Sequence, residues 1–225
     1  MLENSVTRVY IAIFALGCLA TNGVQAQDEI SAPLPDYEEG ETFIFSNKRV
    51  EHVEKIAGDL ITFSSRKGRH YTRHRNIVLP IMQWQLAGKH GQRTLHGDVD
   101  ALWPLHVGNH IHFRVLTTVH DDKKQHETRR VELWSCRVAA QENIQVLAGE
   151  FASYRIVCDH YSGESMRVLR RYTWSYSPAV EHYVRREVKN FMTGDLYQYE
   201  LASTLRPEQS NALRIKRELE RLDSL

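Results

Sequence analysis

The sequence predicts a mainly β protein, either an antiparallel β-sandwich or an open curved barrel, carrying a C-terminal α-helix. Three observations predict it. Apolar and polar residues alternate with period two over most of 40–205, the signature of half-buried antiparallel strands. Turn-forming residues punctuate that text at about the eight-to-twelve-residue spacing of a meander. After Pro207 the period changes to helical, with Ala212, Ile215, Leu219 and Leu222 on one side of a helix.

The chain begins with what reads as a secretory signal peptide over 1–26. Arg8 precedes the apolar run Val9 to Ala20, and Val24-Gln25-Ala26 supplies small residues at the cleavage positions. The run is short for a bilayer span, so no transmembrane segment is expected in the mature chain. Cys18 raises the alternative of a lipoprotein, but Leu16 stands one place too close to it for that signal. The expected compartment is the periplasm or the exterior. Export also fits the cysteine count: loss of 1–26 removes Cys18 and leaves Cys136 and Cys158 as a pair.

Residues 27–39, with Pro33 and Pro35, read as a disordered leader. Strand text opens at Gly40, where Phe43 and Phe45 alternate with polar neighbours. Asn47-Lys48 turns, Arg49 to Ile56 continues, Gly58-Asp59 turns again, and Leu60 to Ser64 returns. Tyr71 to Leu79 extends the meander up to Pro80. Gly88 to Asp98 is rich in glycine and polar groups and reads as a loop, a boundary between two half-sheets. The second half carries strands over Ile111 to Val119, Thr128 to Val138, Met166 to Tyr176, Tyr183 to Val188 and Tyr197 to Thr204.

The most ordered text is the pair of strands on either side of Leu147. Folding the chain back there sets Cys136 opposite Cys158, Val138 opposite Ile156 and Ala140 opposite Tyr154, with Gly149 supplying the backbone freedom of a tight connection. A Cys136–Cys158 disulfide follows. A bulge near Gln141 to Asn143 would shift that register. In the tail, residues 206–225 form the amphipathic helix, with Pro207 in its first turn and Glu208 at its positive end.

Charge is nearly balanced, with 29 basic and 28 acidic residues, so no bulk polyanion such as nucleic acid is implied as a partner. Local basic clusters are more informative. Arg66, Lys67, Arg69, Arg73 and Arg75 form the densest run; on a strand Arg69, Tyr71, Arg73 and Arg75 share a face able to hold an acidic or phosphorylated envelope polymer, or to protect an edge strand. Arg129-Arg130, Arg170-Arg171 and Arg185-Arg186 recur on three strands, and alternation turns one of each pair inward. Such arginines either pair with acids such as Glu132, Glu187 and Glu200 or line a cavity that receives an anion. Tyr172, Trp174 and Tyr176 share a face with Arg170, a core stripe or the wall of a pocket for an amphipathic anion.

Other chemistry is sparse. His110 and His112 have the spacing of two zinc ligands on one strand face, or of a solvated strand. No cofactor is otherwise expected. There is no G-x-S-x-G elbow, no Cys-x-x-Cys and no phosphate-cradling glycine loop, which favours a non-enzymatic reading.

Val146-Leu147-Ala148-Gly149-Glu150-Phe151, then Tyr154 to Cys158, then Trp174-Ser175-Tyr176-Ser177-Pro178, resemble the V-P-A-G-x-F turn and W-x-Y-x-P strand of an uncharacterised family of exported bacterial β-proteins labelled TapB-like. Leu147 replaces that family's proline. The resemblance implies an envelope protein with a curved antiparallel sheet and brings no catalytic residue. The functional expectation is a periplasmic binding protein for an envelope lipid, glycan or other amphipathic anion. The alternatives are a structural or assembly partner of another envelope protein, and a metal-dependent hydrolase.

Overall fold

The computed structural model describes residues 32–224; the signal segment, Cys18 and the first residues of the leader lie outside the described residues. Twelve strands among the described residues follow one another as an antiparallel meander: β1 (Thr42–Phe45), β2 (Val50–Ala57), β3 (Leu60–Ser64), β4 (His70–His74), β5 (Gln83–Leu86), β6 (Lys89–His96), β7 (His110–Asp121), β8 (His126–Val146), β9 (Gly149–Ser162), β10 (Val168–Ser177), β11 (His182–Asn190) and β12 (Leu196–Leu205). β12 pairs back onto β1, Thr42 against Leu205 and Phe43 against Thr204, so the sheet closes into a barrel without free edges.

Closure depends on β1 being buried on both faces. Phe43 and Phe45 point into the barrel, where Phe45 stacks 5.0 Å from Tyr183. Ile44 points outward and is covered, with Val50 and Leu205, by Leu219, Ile215 and Leu222 of the C-terminal helix α1 (Ala212–Asp223). Lys48 and Asp223 form an ion pair beside this contact, and Arg221 donates to the Ala202 carbonyl at 3.0 Å. Pro207 does not open the helix. Pro207–Gln209 is a separate 3₁₀ turn, and α1 starts from Asn211, whose side chain accepts the Arg214 N–H at 2.9 Å; asparagine is among the strongest N-caps. Ala212 and Leu213 stay exposed.

The interior is filled by irregular chain as well as by strand side chains. Ile77, Val78 and Leu79 of the β4–β5 connection are buried, as are Leu102 and Leu105 of the β6–β7 connection. Asn76 ties the two segments, donating to Val99 O at 2.8 Å and Asp100 Oδ1 at 3.0 Å. The described part of the leader lacks regular secondary structure but is packed, not loose. Ala32 and Tyr37 are buried, Ala32 O accepts from Leu105 N at 2.9 Å, and Pro33 O accepts from the Tyr176 hydroxyl at 3.0 Å.

Three local expectations are corrected. The strand expected over Tyr71 to Leu79 stops at His74, because the chain then turns inward to plug the barrel. Gly88 to Asp98 is not a loop or a boundary: β6 occupies Lys89–His96 and pairs with β5 and β7 on either side. Gly91 in it is a packing glycine, directly opposite Trp84, whose ring covers the space a Cβ would need. Cys136 opposes Cys158 and Val138 opposes Ile156 as expected, and the disulfide is formed with Cα atoms 4.0 Å apart. A bulge after Val138 then sets Ala140 against Arg155 and Gln141 against Tyr154.

Candidate functional site

Hairpin turns at 46–49, 65–69, 87–88, 122–125, 163–167 and 191–195 all fall at one end of the barrel. A cavity of about 210 Å³ opens toward that end. Its walls follow from alternation. β8 sends Arg130, Glu132 and Trp134 inward, and β10 sends Arg170, Tyr172 and Trp174 inward; β6 adds Arg93, β9 adds His160 and β11 adds Arg186. Arg49, Arg73 and the β4–β5 segment Val78 to Ile81 form the remaining side.

One wall is a run of near-parallel rings. Phe113 lies 5.9 Å from Trp134, Trp134 lies 5.1 Å from Tyr172, and Tyr172 lies 5.5 Å from Trp174. The guanidinium of Arg186 closes the row, 5.5 Å from the Tyr172 ring and 5.7 Å from that of Trp174, where ring faces favour a cation. It donates to the Tyr199 hydroxyl at 2.9 Å and meets no carboxylate among the described residues. Arg170, at the rim, is exposed and likewise without an acid.

The other arginines are partly neutralised. Arg130 Nη2 lies 2.6 Å from Glu132 Oε1, and His160 Nε2 lies 3.4 Å from the same oxygen. Burial pushes the Glu132 carboxyl up, but His160, Arg130 and Arg93 outweigh it and hold the pKa at about 2. Arg93 donates to Thr117 Oγ1 at 3.1 Å and lies 4.4 Å over the Trp84 ring; burial pulls its pKa down. On the opposite side Glu51 is fully buried. Its Oε1 accepts from Arg49 Nε at 2.7 Å, and Arg73 Nη1 stands 3.8 Å away. Burial pushes this carboxyl up too, but Arg49, His182 and Arg73 hold it well below the usual range.

His182 sits between Glu51 and the leader. Burial lowers its pKa more than Glu51 raises it, so the ring is neutral at neutral pH. It then donates Nε2–H to Glu51 Oε2 at 3.1 Å and accepts the Tyr37 hydroxyl at Nδ1, 2.7 Å away. This chain connects the leader to the arginines at the cavity wall.

The balance is strongly cationic. Six arginines line the cavity, and the carboxylates beside them are Glu132 and Glu51. Beside the ring nitrogens of His160, the unpaired polar atoms of the lining are donors: the buried Nε1 of Trp134, Nε1 of Trp174 and Nε of Arg186 have no protein acceptor. Such a site is built for an acceptor-rich, negatively charged group beside an apolar body.

Of the residues singled out in the sequence, Arg73, Arg170, Tyr172 and Trp174 are brought together here. Tyr176 is not on the cavity. It keeps the inward parity of Trp174 on β10 but lies two residues deeper, toward the far end, where it packs edge-on to Trp103 under the leader. Arg69 is not there either. It lies in the turn before β4, where alternation no longer fixes its direction, in a neighbouring groove with Arg66 and Lys67. His110 and His112 project from the outer face of β7, and no group of three or more His, Cys, Asp or Glu among the described residues is arranged to hold a metal. The inward arginines divide between the two expected outcomes: Arg130 takes Glu132, whereas Arg170 and Arg186 take no acid, and their outward neighbours Arg171 and Arg185 pair with Asp159 and Glu200. Arg49, Arg93 and His160 were missed. The signal for Arg49 was its parity with Glu51 and Val53, and that for His160 its parity with Cys158.

Fold and site together define a closed, plugged antiparallel barrel with a cationic, aromatic-walled cavity at one mouth. No family model matches the chain, and no curated protein matches it. Among solved structures it is similar to the hypothetical lipoprotein YmcC from Escherichia coli K12, at 9% identity and a TM-score of 0.48, over 72% of this chain and 82% of that one. It is also similar to a protein assigned as exported, with a YmcC-like fold, from Bacteroides fragilis NCTC 9343, at 12% identity and 0.43, over 78% and 100%. A third is a protein assigned as a lipoprotein from Parabacteroides distasonis ATCC 8503, at 12% identity and 0.40, over 78% and 99%.

Proposed function

We propose that this is a non-enzymatic binding protein of the cell envelope that holds an amphipathic anion in the mouth of its barrel. The observation that carries the reading is the cavity's charge: six arginines, two of them without any acid, against a stacked aromatic wall and unpaired N–H donors. Arg186 is half-buried, with its Nε sealed from water and no carboxylate beside it, a costly arrangement that a bound oxyanion would relieve. The Trp134–Tyr172–Trp174 face suits an apolar or ring-shaped body attached to that anion. A cavity of about 210 Å³ takes a headgroup and its first few carbons, leaving the rest of a lipid or glycan outside. The site offers hydrogen-bond donors and ring faces but no activated nucleophile beside a base, which fits holding over turnover.

Native mass spectrometry of the protein purified gently from its own envelope tests the reading, with titration of octyl phosphate as an amphipathic anion of known structure. A mass excess lost on denaturation, together with octyl phosphate binding that Arg186→Gln weakens by about tenfold or more, is expected. Bare protein that also ignores octyl phosphate overturns it.

A further inference from the structure

The two ends of the barrel are chemically different. At the mouth end the turn 65–69 carries Arg66, Lys67 and Arg69 with no acid, while the turns 122–125, 163–167 and 191–195 are mixed, with Lys123, Lys124 and Arg167 beside Asp122, Glu164 and Asp195. The far end is acidic, with Asp36, Glu38 and Glu39 in the leader, Asp98 and Asp100 in the β6–β7 connection, and Glu181 in the β10–β11 turn. Both ends carry both signs, as Asp122, Glu164 and Asp195 at the mouth and Arg75 at the far end show, but the excess is basic at the mouth, concentrated on turn 65–69, and acidic at the far end.

Apolar exposure is just as uneven. Of the ten exposed large hydrophobic side chains among the described residues, seven lie at or toward the mouth end. Five of these sit on two adjacent hairpins: Met166 at 62% exposure on β9–β10, and Phe191 at 43%, Met192, Leu196 and Tyr197 at 59% each on β11–β12. The hairpins are tied by the Phe191 N–H to Leu169 O bond of 3.0 Å. Lys189 and Arg171 stand 5.4 and 5.9 Å from the Phe191 ring. Isolated exposed apolar residues need no explanation, but a cluster on hairpin tips within a cationic rim is a recognisable surface.

We propose that the mouth end of the barrel docks onto a bilayer bearing anionic headgroups. Phe191, Met192 and Leu196 enter the headgroup and acyl boundary, while Arg66, Lys67 and Arg69 hold the lipid phosphates on the other side of the rim. The acidic far end is repelled from the same surface, so the charge separation also sets the orientation. Apolar side chains on protruding turns suit a fluid boundary; a protein partner would match a flatter, continuous patch. Docking places the cavity opening against the lipid. That the bilayer also supplies the anion rests on the function proposed above; the docking does not.

Co-sedimentation of the purified protein with vesicles tests this, using phosphatidylcholine with and without phosphatidylglycerol at low and high salt. Binding is expected to require phosphatidylglycerol and to weaken with salt. Met192→Asp with Leu196→Asp, and separately Arg66→Glu with Lys67→Glu, are each expected to weaken it about tenfold or more, while Val107→Asp at the far end leaves it unchanged. All these side chains are exposed, so unchanged thermal melting certifies the fold. No binding to the anionic vesicles, or equal loss in the Val107→Asp protein, overturns the docking. Octyl phosphate titration separates the two proposals. Rim variants that lose vesicles but keep octyl phosphate support both; vesicle binding without octyl phosphate binding sinks the cavity reading and leaves the docking standing.

Discussion

The guanidinium of Arg186 lies 5.5 Å from the centre of the Tyr172 ring, on the strand next to it, and no carboxylate accompanies it. A half-buried cation set against rings and one hydroxyl is held in place before any ligand arrives. Arg186→Gln should therefore lower octyl phosphate affinity by about tenfold or more, the worth of one charge-assisted bond. Arg185→Gln, on the outer face and paired with Glu200, should change it little. Isothermal titration of the two variants checks this, and equal effects would mean that the anion is not held inside.

Glu132 sets the acid limit of the same cavity. Its folded pKa of about 2 lies below the ordinary 4.5, so its stabilising contribution is complete above about pH 4.5 and is lost as pH falls toward 2. The full span is worth about 3 kcal/mol as an order of magnitude. Urea unfolding from pH 7 to pH 2.5 should show a steeper acid loss in the wild type than in Glu132→Gln, which has no proton to take up. Parallel curves would show that the carboxylate is not held by His160, Arg130 and Arg93.

The architecture was legible where it depends on neighbours in sequence. Period two placed the strands, and the symmetry of Cys136 and Cys158 about Leu147 placed their register as far as Val138. Closure was not legible, since β1 and β12 are joined across most of the chain and a sandwich strand alternates as a barrel strand does. The cavity was half legible. Arg170, Tyr172 and Trp174 share a parity that reads directly, but Arg93 and His160 look like solvated residues until the barrel closes around them. Gly91 misled because glycine marks turns more often than it marks a ring lying across a strand.

The cross-strand disulfide is expected to hold the long β8–β9 hairpin, closing a loop of sequence separation 22. In the loop-entropy model that constraint is worth roughly 3 kcal/mol. Cys136→Ser with Cys158→Ser should unfold at lower urea and with a steeper transition slope, because the unfolded chain is no longer held compact. Thiol labelling of the denatured, unreduced wild type should find neither cysteine reactive.

Gly91 gives the sharpest test of the interior opposite that hairpin. It lies across from Trp84 in the β5–β6 pair, and a Cβ there would run into the Trp84 ring itself. The ring cannot simply move, because Arg93 lies 4.4 Å over its face and is fixed in turn by Thr117 Oγ1 and Ile81 O. Gly91→Ala should therefore cost about 1–3 kcal/mol, the usual penalty of overpacking, although its backbone is ordinary strand. The displaced Arg93 should also weaken octyl phosphate binding. Gly91→Ala combined with Trp84→Ala relieves the collision, so stability lost to overpacking should return in part while Arg93 loses the ring beneath it. Thermal melting and titration on the single and double variants separate the two effects: a double variant as stable as Trp84→Ala alone is expected, since the added methyl group meets nothing once the ring is gone. If Gly91→Ala costs as much in the Trp84→Ala background as in the wild type, the glycine is needed for its backbone and not for the ring.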